Sequence, residues 1–195
     1  AGAATGIVAR TPTVLPATAA VVFGEGGLNR RGLSTAEGAL PGFTITYDTD
    51  DRATYSEMRM GMEADLCADD IPESWMTSDC AWIHIAGIGA SAAQQWSMLV
   101  DLRDRFPDWR GTVSAGTCRA MIEADMAHTQ QLLQAADVFF LNAEEFALLC
   151  PEGAPEGTTV VVTRGPDGVD IWTNGTCDHP PAQPVQVVDP TGAGD

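Results

Sequence analysis

The chain has 195 residues, 45% hydrophobic and 19% charged, a globular composition long enough to bury a sizeable core. Its net charge is −17, and all 10 of its Lys or Arg side chains are arginines. Without lysine there can be no P-loop, no Schiff base and no catalytic lysine of the protein-kinase type, and the acidity argues against nucleic acid or an anionic membrane as partner.

The cysteines, Cys67, Cys80, Cys118, Cys150 and Cys177, are odd in number and scattered, with no C-x-x-C pair, so reduced thiols are expected. No basic segment with an apolar core opens the sequence, and no apolar run approaches the roughly 20 residues that span a bilayer. A soluble, cytoplasmic protein is the expectation.

Residues 1 to 42 are rich in Ala, Gly, Thr and Pro, with a strand expected at Ala19 to Phe23 before the glycine-rich turn Gly24-Glu25-Gly26-Gly27. Gly42 to Asp48, with Phe43, Ile45 and Tyr47 on one face, and Ala53 to Met60 read as strands of a hairpin turning at Thr49-Asp50-Asp51. Asp69-Asp70-Ile71-Pro72 marks a helix or turn start leading into the core.

From Ala81 the pattern alternates. Strands are expected at Trp82 to Ala86, Gly111 to Ala115, Asp137 to Leu141, Thr158 to Thr163, Val169 to Thr173 and Val185 to Val188, the fifth of them antiparallel. Helices are expected at Ser91 to Phe106, with an apolar stripe of Ala92, Trp96, Leu99, Val100 and Leu102, at Met121 to Ala135 and at Ala143 to Cys150. Such alternation implies an α/β fold with a mostly parallel sheet covered on both faces. Ligands in such sheets bind beyond the carboxyl ends of the strands, where Asn142, Thr163 and Asp189 all fall.

The sequence finishes on Val187-Val188-Asp189-Pro190-Thr191-Gly192-Ala193-Gly194-Asp195. A β-branched run entering Thr-Gly-Ala-Gly-Asp reads as a buried strand turning into a helix N-terminus, whose unpaired amides favour an anion. Gly192 and Gly194 allow close backbone approach, and Ala193 keeps it open. Asp195 places a carboxylate where an anion would be welcome. That suits a general base taking the proton of a hydroxyl as its oxygen attacks phosphorus.

Asp-Pro-Thr-Gly-Ala-Gly-Asp is similar to the Asp-Thr-x-Gly-Ala-Gly-Asp signature of the ribokinase-like, or PfkB, carbohydrate kinases; Pro190 stands where threonine is usual. The resemblance covers roughly residues 80 to 195. It implies a three-layer αβα ribokinase-like fold with part of a small β lid: 1–62 as a partial N-terminal region with the lid hairpin, and 63–195 as the nucleotide-binding core. It implies ATP-dependent transfer of a phosphoryl group to a hydroxyl of a small sugar, polyol or nucleoside, with Mg²⁺ and in some members K⁺, and is compatible with a homodimer through the β lid. Family members are longer at both ends, so this chain alone is expected to show little or no kinase activity. A nucleotide- or sugar-sensing module of the same fold is the alternative.

Two further motifs follow the family order. Asn142-Ala143-Glu144-Glu145 resembles the Asn-x-x-Glu motif that holds Mg²⁺, mainly through water, beside the phosphates. The same spacing makes a helix capping box, and one pair of side chains can serve both ends. Thr163-Arg164-Gly165-Pro166-Asp167-Gly168 resembles the Thr-x-Gly-x-x-Gly stretch lying against the nucleotide, so Thr163, Gly165 and Gly168 are expected to line that site; Pro166-Asp167-Gly168 is also a good turn by itself. Asp189 and Thr191 match positions that in some members help bind a monovalent cation, or the aspartate serves its own turn. Arg119 matches an arginine of the family and either neutralises phosphate or pairs at the surface.

Other chemistries fail on inspection. Thr112 stands where a nucleophile elbow around Ser114 needs glycine, and Gly87-Ile88-Gly89 lacks the third glycine of a dinucleotide loop. His84, His128 and His179 are far apart with no H-E-x-x-H or paired-cysteine spacing, so a zinc centre is not expected.

Overall fold

The structure, a computed structural model, describes residues 4–14, 21, 27–48, 53–59, 61–76, 80–87 and 91–184. The chain divides into two compact units, Ala1–Asp79 and Cys80–Asp195, so the segment after residue 62 groups with the first unit.

In the first unit β1 (Gly6–Thr11) runs parallel to β2 (Asn29–Thr35). Sequence reading missed both, because Asn29-Arg30-Arg31-Gly32 shows no alternating apolar face. The strand expected at Ala19 to Phe23 and its glycine-rich turn lie, but for Val21 and Gly27, outside the described residues. The indole of Trp75, on the short helix α1 (Glu73–Met76), lies over this ribbon: a Cβ on Gly6 would stand 2.6 Å from Trp75 Cη2. Asp70 ties the helical turn Ala68–Asp70 to β1, accepting from Arg10 Nη2 at 3.1 Å and from the Cys67 amide at 3.0 Å. Burial works against its charge, but the Cys67 amide and the Arg10 guanidinium outweigh it and hold the carboxyl below its ordinary value.

The expected hairpin is present as β3 (Gly42–Tyr47) and β4 (Ala53–Arg59), antiparallel with Tyr47 opposite Ala53. Its turn at Thr49-Asp50-Asp51 lies outside the described residues. Phe43 and Tyr47 are each 40% exposed, as two strands alone cannot cover an apolar face.

The second unit holds a six-stranded sheet in the order β10-β9-β8-β7-β6-β5. The strands β5 (Trp82–Ile85), β6 (Thr112–Gly116), β7 (Val138–Asn142) and β8 (Thr159–Thr163) are parallel. The strands β9 (Val169–Thr173) and β10 (Thr176–Asp178) add antiparallel at one edge. The expected α/β class with a mostly parallel sheet is therefore observed. Val185 to Val188, the last expected strand, lies outside the described residues.

Crossovers are made by α2 (Ala92–Arg105), the pair α3 (Arg119–Ala124) and α4 (Met126–Ala135), and α5 (Ala143–Leu149). The single helix expected from Met121 to Ala135 is thus two. Asp125 breaks it at φ −154°, ψ 75°, and its carboxylate accepts from the His128 amide at 3.1 Å to cap α4. Strands in sequential order joined by right-handed crossovers put these helices on one face of the sheet. There Ala115, Phe139 and Val160 form a cross-strand row at 0% exposure, while Phe140 and Val161 on the other face are half-buried. No helix among the described residues is long and apolar enough to cross a membrane.

The stripe of α2 differs from expectation. Ala92, Gln95, Leu99 and Leu102 are its buried positions, and Trp96 and Val100 are half-buried. Gln95 earns its place as a strap: its Nε2 donates to Ile85 O at 3.2 Å and Gly116 O at 3.0 Å, joining the carboxyl ends of β5 and β6. Its Nε2 is thereby satisfied by carbonyls that the ladder leaves over, while its Oε1 is buried without a hydrogen-bond partner among the described residues.

Truncating the core ring, Phe139→Ala, is expected to lower unfolding free energy by about 3–5 kcal/mol in urea titrations. Leu148→Ala, on the outer side of α5, should change it by no more than about 0.5 kcal/mol.

Candidate functional site

Parallel strands deliver their carboxyl ends to one rim, and register decides which residues meet there. Asn142 is the Cα partner of Thr163, so the two motif loops leave the sheet from adjacent positions. Both residues are exposed.

Asn142 Oδ1 accepts from the Glu145 amide at 2.9 Å, and Glu145 Oε2 accepts from the Asn142 amide at 2.8 Å. This is the reciprocal capping box anticipated from the spacing. It fixes both side chains at the rim, with Glu145 only 7% exposed and Asn142 facing solvent. An amide oxygen and a carboxylate are the kinds of donor that suit a hydrated hard cation held through water.

Thr163 Oγ1 donates to Leu141 O on the neighbouring strand at 3.3 Å. The two glycines after it do different things. Gly165 has φ 55° and open space where a Cβ would stand, leaving its backbone approachable. Gly168, at φ 96°, has no such space: a Cβ would meet Pro180 O at 2.3 Å. Its missing side chain therefore serves chain packing, and the Gly168 amide closes the turn onto Gly165 O at 3.1 Å.

Arg119 opens α3 and pairs with Glu123 at 2.8 Å and, more distantly, with Glu144 of the Asn-x-x-Glu loop at 3.7 Å. It is an exposed, ion-paired arginine beside that loop. Asp189, Thr191, Gly192, Ala193, Gly194 and Asp195 lie outside the described residues.

His84 stands on β5, two strands from β7. Ser114 Oγ accepts from Trp82 Nε1 at 2.7 Å and lies 2.8 Å from His84 Nδ1, while the imidazole meets the Phe140 ring edge-on at 5.8 Å. Burial holds the His84 pKa below its ordinary 6.5. Sequence reading passed over two features. Gln95 was hidden because a helical stripe search counts only apolar residues. His179, taken as isolated, meets Asp170 Oδ1 at 2.7 Å and lies 3.9 Å from Cys177 Sγ.

Comparison with known proteins bears on the fold that carries these residues. Residues 118–195 match the model of the pfkB family carbohydrate kinase. No curated protein matches. A putative Ribokinase II from E. coli, in complex with ATP and Mg²⁺, superposes with a TM-score of 0.76 at 20% identity, covering 99% of this chain and 67% of that one. A nucleoside kinase from Burkholderia thailandensis in complex with inosine gives 0.74 at 16%, covering 96% and 62%. A fructokinase double mutant from Vibrio cholerae O395, with fructose, ADP and potassium bound, gives 0.72 at 19%, covering 97% and 66%. The chain thus spans about two thirds of the length of these structures. The fold is ribokinase-like, and the family match falls on the segment that holds all three motifs.

Two outcomes are expected. Asn142→Ala should cost about 1 kcal/mol of stability through the lost cap, whereas Asn142→Ser retains most of it. For His84, the folded state resists the proton that the unfolded chain accepts, so its stabilising contribution is full above about pH 6.5 and declines as pH falls below it. The urea midpoint should therefore drop between about pH 7 and about pH 5, and drop less in His84→Gln; equal slopes would contradict this.

Proposed function

We propose that this chain carries the nucleotide-binding part of an ATP-dependent phosphotransferase acting on a hydroxyl of a small sugar, polyol or nucleoside. The observation that carries this reading is the register pair of Asn142 and Thr163, which brings two of the three motif loops to one rim of a ribokinase-like sheet.

In this reading Thr163 offers its hydroxyl to phosphate, and the open backbone at Gly165 lies along the nucleotide, with Gly168 shaping the loop. Asn142 and Glu145 hold the waters of Mg²⁺. When bound, that ion neutralises charge on the phosphates. Asp195 takes the proton of the acceptor hydroxyl while that oxygen bonds to the γ-phosphorus; the bond to the β,γ-bridging oxygen breaks and ADP departs. The amides of Gly192, Ala193 and Gly194 stabilise charge on the phosphoryl group in transit. Asp189 and Thr191 order the loop, through a monovalent cation such as K⁺ or through the turn's own amides. In this reading the β3–β4 ribbon is part of a small β lid and a surface for a second copy. An ATP-consuming enzyme with unpaired thiols suits the cytoplasm.

The test is a product assay on the full-length protein with Mg·ATP and a panel of polyols, sugars and nucleosides. Phosphorylated product is expected, with kcat lowered about 10²–10⁴-fold by Asp195→Asn. Nucleotide binding without product on any acceptor would favour the sensing module, and unchanged turnover in Asp195→Asn would remove the proposed base.

A further inference from the structure

The β9–β10 hairpin turns on Asn174 and Gly175, both at positive φ, 50° and 79°. A two-residue turn of this kind matches the twist of the strands and fixes their register. Cys177 is opposite Trp172 and Asp178 opposite Ile171. The chain continues alongside, the Val169 amide donating to Pro180 O at 3.1 Å, so His179 comes opposite Asp170. Side chains alternate between faces along a strand, which puts Asp170, Cys177 and His179 on one face.

Their atoms converge accordingly. One ligand atom from each of the three lies within 4.8 Å of the others. Arg164 Nε binds Asp170 Oδ2, which fixes the nearly buried carboxylate, while Oδ1 faces His179 at 2.7 Å. The same ring nitrogen, Nδ1, approaches both the carboxylate and the thiol. A proton relay to a cysteine nucleophile needs both ring nitrogens, one for each neighbour, so this is not a catalytic triad. Three donor atoms of these kinds within 4.8 Å of one another can converge on one cation once the His179–Asp170 contact opens.

We propose that Asp170, Cys177 and His179 form a binding site for a borderline-soft divalent cation such as Zn²⁺, three-coordinate from the protein with the fourth position open to water. A sulfur, an imidazole nitrogen and one carboxylate oxygen suit zinc, whereas Mg²⁺ and Ca²⁺ want oxygen alone. Tetrahedral bonds of about 2.3 Å to sulfur and about 2.0 Å to nitrogen would place those atoms about 3.5 Å apart. The observed 3.9 Å is a few tenths longer. The nitrogen–oxygen pair must open from 2.7 Å, which His179, with a side chain 69% exposed, can do by swinging outward. Coordination would send the thiol proton to solvent and take His179 as neutral imidazole. Arg164 is the outer partner that orients the ligating carboxylate, and it links the site to the Thr163–Gly168 loop. The sequence signal was the Cys-x-His spacing on a strand beside an Asn-Gly turn, invisible to a search for helical zinc spacings.

The test uses tag-free, reduced, metal-stripped protein titrated with Co²⁺ alone and then with Zn²⁺ as competitor. One equivalent of Co²⁺ should raise a near-ultraviolet thiolate-to-cobalt band that Zn²⁺ abolishes. Cys177→Ser should remove the band and His179→Ala should weaken affinity at least about tenfold, while Cys118→Ser, an exposed thiol elsewhere, changes neither. In the unsubstituted protein, Zn²⁺ should slow alkylation of Cys177 and leave Cys118 unaffected. The proposal is overturned if the band is missing or survives Cys177→Ser, or if Zn²⁺ leaves Cys177 alkylation unchanged.

Discussion

The parallel ladder from β5 to β8 is the constraint on which the second unit depends. Strands running the same way must be linked by crossovers, and right-handed crossovers in sequential order bring the helices to one face. The buried row of Ala115, Phe139 and Val160 seals that face. With direction and register fixed, Asn142 and Thr163 have no choice but to be neighbours. A slip of one position on β8 would turn Val160 and Val162 outward, so the core itself enforces the geometry of the rim.

Interactions that hold the rim together also fix the side chains placed there. Asn142 and Glu145 cap α5 reciprocally, which orders both side chains at the rim. Gln95 does the same for the ends of β5 and β6 by satisfying two strand-end carbonyls. Preorganisation of this kind lowers the ordering cost of binding. On the far edge, Arg164 spans from the turn after Thr163 to Asp170, so the Thr163–Gly168 loop and the β9–β10 hairpin are joined by an ion pair.

Much of this was legible in the sequence where local chemistry agrees with the fold. The strands at Phe139 and Val160 announce themselves through β-branched and aromatic runs, and the Asn142 box through its spacing. Legibility failed where partners are distant in sequence. The β1–β2 pairing joins segments with no alternating pattern, and only tertiary pairing makes Asn29–Thr35 a strand. Asp125 interrupts a continuous helical stripe because capping α4 outweighs extending α3. Cys177 and His179 read as scattered until a two-residue turn folds them onto Asp170.

The central claim, that the loops following β7 and β8 form one nucleotide-binding rim, is tested most directly by amide hydrogen exchange with and without Mg²⁺ and a non-hydrolysable ATP analogue. The account predicts that amides of residues 142–145 and 163–165 slow together on addition of nucleotide, while those of β3 and β4 do not change. Protection absent from both loops, or confined to the β3–β4 ribbon, would contradict it.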